Sequence, residues 1–187
     1  LWPDITLFAR GGIHWNNLGA YYSAEALLDA LPPVTDQPIP PLVLEDVGVD
    51  HEPNRFDRDL VDYLNLLFPD TDFPVPHPVI TMERPPERGI RAVLVGMSFL
   101  EQLAMIFAET GAFDRVDHYW YYHHDVRDAL TGERTPLERA AIDWDAAFLD
   151  ADFVIVDLNM LHFQGEHVRR FVEDGLCLLY TSDAADE

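Results

Sequence analysis

The sequence predicts an α/β fold built around a parallel sheet. Three compact runs of β-branched and aromatic residues, Ile90–Val95, Val116–Tyr122 and Phe153–Leu158, read as buried strands. Segments of helical period alternate with them, the pattern of βαβ units with helices on both faces of the sheet. No apolar run approaches the roughly 18 residues that mark a membrane span. In such sheets the functional crevice lies beyond the carboxyl ends of the strands. That rule directs attention to Gly96–Ser98 and to Asn159.

Residues Ile5–Ala9 form a short apolar run suited to a strand end, followed by the turn Gly11-Gly12-Ile13-His14-Trp15. From Asn17 to Leu31 the residues Leu18, Tyr21, Tyr22, Ala24, Leu27, Leu28 and Leu31 recur at helical spacing, and Pro32-Pro33 stops the helix. Residues 32–56 are rich in proline and acid and read as a long surface excursion. A short helix is expected over Asp57–Phe68, with Leu60, Val61, Leu64 and Leu67 on one face. A second proline-rich loop then runs from Pro69 to Pro86. After the Ile90–Val95 strand, Gly96-Met97-Ser98 turns into a helix over Phe99–Thr110, closed by Gly111. Thr135-Pro136-Leu137-Glu138 has the form of a capping box with proline at the first helical position, which predicts a helix to about Leu149. A last helix is expected near Glu166–Glu173.

A length of 187 residues fits one domain with a sizeable core. That domain is expected over 1–176, incomplete at both ends. Residues 177–187 abandon the helical pattern before them, resemble translated adapter sequence, and are expected to be a non-native tail. The single cysteine, Cys177, falls in that tail, so cysteine usage does not report a redox compartment. The net charge of −22, with twelve arginines and no lysine, repels phosphate backbones and argues against a nucleic-acid partner.

Two residues have the placement that nucleophilic catalysis needs. Ser98 sits where a strand gives way to a helix, with the first helical N–H groups available to an oxyanion and small Gly96 leaving room for substrate. The same residue, with Glu101, also satisfies a plain S-x-x-E capping box. His14, in a glycine-rich turn after a strand, can serve as a general base, or be an ordinary hydrogen-bonded loop histidine. His118, His123, His124 and Asp125 invite a metal reading, but adjacent histidines do not share a strand face. The run Tyr119-Trp120-Tyr121-Tyr122 suits either sugar stacking or strand packing.

Three blocks resemble a known family. Phe8-Ala9-Arg10-Gly11-Gly12-Ile13-His14-Trp15-Asn16-Asn17-Leu18-Gly19-Ala20 resembles the His-Trp block of the alginate O-acetyltransferase AlgJ/AlgX family. Val93-Leu94-Val95-Gly96-Met97-Ser98-Phe99-Leu100 is similar to its Ser block, and Phe153-Val154-Ile155-Val156-Asp157-Leu158-Asn159 to its late strand. The order, His before Ser, reverses that of ordinary SGNH esterases and fits the permuted arrangement of this family.

The resemblance implies an SGNH-hydrolase-like three-layer α/β/α domain, periplasmic or anchored at the inner membrane. It implies transfer of an acetyl group to an exopolysaccharide through an acyl-serine, with no cofactor and no metal. Ser98 would carry the acetyl group and His14 would act as base. Gly96 and, with the Ser98 N–H, Asn159 would form the oxyanion site. Trp15 and Arg10 are candidate substrate-binding residues. A polysaccharide is the implied acceptor and a membrane-bound O-acyltransferase the implied acetyl source. The charge favours a neutral or weakly charged glycan. The family commonly has Asp-x-His, and here the aspartate position is Gly12. Asp157 is one candidate for the missing orienting acid, and an aspartate restored at position 12 is expected to fix the imidazole tautomer provided that the glycine tolerates a side chain. Two alternatives share the site: an SGNH-type carbohydrate esterase using water, and a polysaccharide-binding relative that has lost catalysis.

Overall fold

The computed structural model describes residues 6–31, 39–65, 67–83, 89–120, 124–157 and 169–175. The expected tail at 177–187 and Asn159 lie outside them. The chain divides into two compact units, Leu1–Arg88 with Met105–Ala112, and Gly89–Ala104 with Phe113–Glu187.

In the first unit, helix α1 spans Asn17–Ala30. Asn16 starts it: the side-chain oxygen accepts from Gly19 N–H at 2.9 Å, while the side-chain amide donates to Thr6 O at 2.6 Å. Both ends of a buried amide are thereby satisfied, which fixes the chain entering the helix. Leu18, Ala20, Tyr21, Ala24 and Leu28 form the buried face of α1, which packs against strand β2 (Val75–Met82). Strand β1 (Leu42–Asp50) pairs antiparallel with β2 from Leu42↔Met82 to Asp50↔Val75, with a bulge between Leu44 and Asp46.

These two strands occupy segments that the sequence presented as loops. Pro76 and Pro78 sit within β2, and a two-stranded ribbon leaves each strand one edge on which a missing N–H costs nothing. Only Leu42 and Val47 of β1 are buried, so no alternation announces it. Between the strands, helix α2 spans Arg55–Leu64 and opens with a capping box. Asn54 Oδ1 accepts from Phe56 N–H, and Asp57 Oδ2 accepts from Asn54 N–H at 3.1 Å.

The second unit holds a five-stranded sheet in the order β6-β5-β4-β3-β7. Its strands are β3 (Arg91–Val95), β4 (Arg115–Trp120), β5 (Asp125–Asp128), β6 (Arg134–Pro136) and β7 (Phe153–Val156). β3 runs parallel to both β4 and β7, but β4–β5 and β5–β6 are antiparallel. The expected all-parallel sheet is therefore corrected to a mixed one. Helix α3 (Phe99–Thr110) connects β3 to β4 with the predicted bounds.

The helix expected over 135–149 does not form. Arg134–Pro136 pairs with β5, Leu137 N–H donates to His124 O at 2.7 Å, and Arg139–Ala141 and Asp145–Leu149 make only short turns. The physical reason is burial. Leu137 is drawn into one apolar cluster with Val93, Val95, Tyr119 and Phe148. Each such side chain contributes roughly 1.5–3 kcal/mol, more than a cap supplies (about 1 kcal/mol). Trp144 and Phe171 extend the cluster, and Arg139 pairs with Asp174 at 2.7 Å, tying in the helical residues 169–175. Buried Asp117 accepts from Arg91 at 2.9 Å and Arg115 at 3.1 Å on the same face. Among the described residues no helix is long and apolar enough to cross a membrane.

Candidate functional site

His14 is only 6% exposed, in a turn fastened at several points. Phe8 and Trp15 form an isolated antiparallel bridge across it, and Val61 N–H donates to Gly11 O at 3.1 Å. The imidazole Nδ1 is hydrogen-bonded in short contact to Asp59 Oδ2. The other carboxylate oxygen, Asp59 Oδ1, accepts the Ile13 N–H at 2.8 Å. Phe56 meets the ring edge-on, with centroids 5.6 Å apart. A carboxylate on Nδ1 places the proton there and leaves Nε2 as the basic nitrogen. Helix α2 thus supplies an orienting acid that the sequence did not single out.

The same geometry explains Gly12. A β-carbon at this position would stand well inside van der Waals contact with the Phe56 carbonyl oxygen, and 3.1 Å from Asp59 Oδ1. The close approach of α2 therefore requires glycine. An aspartate at 12 would displace the helix that holds Asp59, so the tolerance for a side chain on which that benefit depends is not met.

In the second unit, Ser98 lies half-buried in the turn from β3 to α3, as the sequence placed it. Leu100 N–H donates to Met97 O and Glu101 N–H to Ser98 O, both at 3.1 Å, winding the turn directly into the helix. The Glu101 carboxylate, expected as the capping partner of Ser98, pairs with Arg127 at 3.0 Å. Gly96 donates its N–H to Tyr119 O at 3.3 Å, so this amide continues the β3–β4 ladder and the residue serves the turn through its lack of a side chain. A β-carbon on Gly96 would lie 2.6 Å from Asp157 Cβ and 2.7 Å from Leu100 Cδ1. Asp157 itself is tied to the same strand end by an N–H donated to Val95 O at 2.9 Å.

The remaining candidates divide. Trp15 is half-buried beside His14 in sequence, whereas Arg10 is exposed and pairs with Asp70 at 3.3 Å. His118 and Trp120 are buried within the second unit, and Tyr119 belongs to its core; His123, Tyr121 and Tyr122 lie outside the described residues. Among the described residues no group of three His, Cys, Asp or Glu is placed to hold a metal ion. An open cavity of about 460 Å³ lies elsewhere in the second unit, lined by Arg91 and Arg115 at the starts of β3 and β4 and by Tyr119, Leu137 and Asp143. No family model, curated protein or solved structure matches this chain.

Proposed function

We propose that this chain is an O-acetyltransferase of SGNH type that acetylates a polysaccharide through an acyl-serine. Ser98 Oγ attacks the acetyl carbonyl while His14 Nε2 takes its proton. The tetrahedral oxyanion is held by the Ser98 N–H, and its collapse expels the donor's leaving group with the proton from His14. A sugar hydroxyl then attacks the acetyl-serine, giving its proton to His14, and Ser98 is released as the alcohol. Asp59 orients the imidazole and fixes its tautomer.

The observation that carries this reading is the bidentate role of Asp59. One oxygen holds the Ile13 backbone and the other holds His14 Nδ1, the support that a base needs and a surface histidine does not. It also supplies the acid whose loss at position 12 had pointed to a relative without catalysis. Ser98 and His14 belong to different units, and the reaction requires Nε2 within hydrogen-bond reach of Oγ.

The test is acylation by an activated acetyl ester. Wild type releases the leaving group in a burst and traps acetyl on Ser98, detected by peptide mass. Ser98→Ala and His14→Ala each abolish the burst, and the double variant is no worse than either single one, as expected of residues acting as a unit. Undiminished acetyl release from folded Ser98→Ala protein refutes the assignment. Partition of the acetyl group between water and a neutral oligosaccharide then separates transferase from esterase.

A further inference from the structure

One face of the five-stranded sheet carries a polar row among its apolar side chains. Register sets Arg91 of β3 beside Arg115 of β4, Val93 beside Asp117, and Val95 beside Tyr119, with Val126 of β5 on the far side of Tyr119. Alternate residues of a strand point the same way, so these side chains share one face. The segment 136–147 packs on that face and leaves between them the open cavity of about 460 Å³, a volume typical of small-molecule sites. The two arginines that line it have different tasks. Arg91 donates to the carbonyl oxygens of Ala146 and Ala147 and, at 2.9 Å, to Asp117, which pins the segment to the sheet and occupies its guanidinium. Arg115 is held to Asp117 by its Nε at 3.1 Å, with 58% of its side chain exposed. Among the described residues none accepts from its two terminal nitrogens.

The chemistry of the lining selects a ligand. Buried Asp117 neutralises one of the two guanidiniums, which leaves one net positive charge presented by Arg115. Tyr119 lines the same cavity, and among the described residues none is hydrogen-bonded to its hydroxyl. Burial, then Asp117, raises the pKa of that phenol, so it stays a donor. A guanidinium already oriented through Nε offers two parallel N–H groups, the arrangement that a carboxylate accepts bidentately. Val126, Leu137 and Ile142 supply an apolar wall for the rest of the molecule. Glu138 and Asp143 also line the cavity, and with a chain charge of −22 they repel a second negative charge on the ligand.

We propose that this cavity binds a medium-chain aliphatic monocarboxylate. The carboxylate rests on the Arg115 terminal nitrogens and the Tyr119 hydroxyl, and the hydrocarbon chain lies against Val126, Leu137 and Ile142. The site is independent of acyl transfer at Ser98. Arg91 and Arg115 open β3 and β4, whereas Ser98 follows the end of β3, so the anion and the serine belong to opposite ends of that strand.

The experiment titrates the full chain with sodium octanoate, read by calorimetry and by nitrogen-15 amide shifts. One molecule is expected to bind per chain with a Kd of about 0.1–1 mM, shifting the amides of Arg115, Tyr119, Val126 and Ile142. Hexanoate should bind more weakly than octanoate by about fourfold for each missing methylene, the signature of a buried hydrocarbon chain. Octan-1-ol, of equal length without the charge, should bind at least about tenfold more weakly. Octanedioate and inorganic phosphate, which bring a second charge to Glu138 and Asp143, should bind more weakly still. Arg115→Gln should weaken octanoate about tenfold or more and leave octan-1-ol unchanged. No saturable octanoate binding at millimolar concentration, or amide shifts confined to other residues, overturns the site. Octan-1-ol binding as tightly as octanoate overturns the carboxylate assignment, and this comparison needs no variant, so it decides even if Arg115→Gln does not fold. Displacement of octanoate by phosphate overturns the preference for a single charge.

Discussion

Replacing Asp59 by asparagine tests the orienting acid with almost no change of shape. The structure fixes which way the new amide must face. Ile13 N–H donates to Asp59 Oδ1 at 2.8 Å, so the only acceptor of an asparagine, its carbonyl oxygen, turns toward Ile13. The amide NH₂ then faces His14 Nδ1, which can meet it only as an acceptor. The imidazole proton moves to Nε2, the nitrogen that must be unprotonated to take the serine proton. In serine-protease triads the same exchange costs about ten-thousandfold, and a loss of about a thousandfold or more in burst rate is expected here. Stability should fall little, by about 1 kcal/mol, because both hydrogen bonds persist as neutral ones. Asp59→Ala differs: it removes the carboxylate from buried His14 Nδ1 and should cost about 1–3 kcal/mol, whereas the exposed Ile13 N–H can turn to water. Stopped-flow acylation and urea unfolding read the two quantities independently. An Asp59→Asn protein that acylates within about threefold of wild type would falsify the tautomer argument.

Gly12→Asp, which the sequence resemblance would favour, is expected to destabilise the first unit by about 1–3 kcal/mol through overpacking against the Phe56 carbonyl, and to lower the burst rate; a thermal melt showing an unchanged midpoint would remove the steric account of this glycine. Stability in acid carries the signature of buried neutral His118. Its folded pKa of about 4 lies below the ordinary 6.5, so the unfolded chain binds the proton first, and stability is complete above pH 6.5 and lost as pH falls toward 4. The loss reaches about 3 kcal/mol relative to His118→Asn, read as the difference between two urea-unfolding series because other carboxylates titrate in both proteins.

The buried sheet was legible because nothing competed for its residues. Arg91–Val95 and Arg115–Trp120 are short runs whose apolar residues are buried, as their composition announced; Phe153–Val156 forms the expected strand, but at the sheet edge, where only Phe153 is buried and Val154 and Val156 are exposed. α1 and α3 were legible for a similar reason, since each has strong periodicity and a stop signal next to it. The failures occurred where a local signal was outbid by a distant one. Thr135-Pro136-Leu137-Glu138 is a good helix start, yet the ladder to β5 and the burial of Leu137 took the segment into strand and turn. Pro76 and Pro78 read as loop because proline is excluded from sheet interiors, and β2 has no interior position to be excluded from.

Helix α2 shows why half of the candidate site stayed hidden. An amphipathic helix is expected to bury its apolar stripe, which places Leu60 and Leu64 inward and Asp57 and Asp59 in solvent. In the structure Leu60, Tyr63 and Leu64 are exposed, and the buried pair is Phe56 and Asp57. The helix is turned so that its acidic face meets the His14 turn. The Asn54–Asp57 capping box was the available clue, because it sets where the helix starts and hence that Asp59 lies in its second turn. That clue could not name a partner 45 residues away. Gly12 could have: a glycine where a related pattern has aspartate is ambiguous between a lost acid and a close approach. The Phe56 carbonyl decides for close approach, and the element making that approach is the one that brings Asp59. Position 12 gave up its side chain to admit the helix that carries the acid.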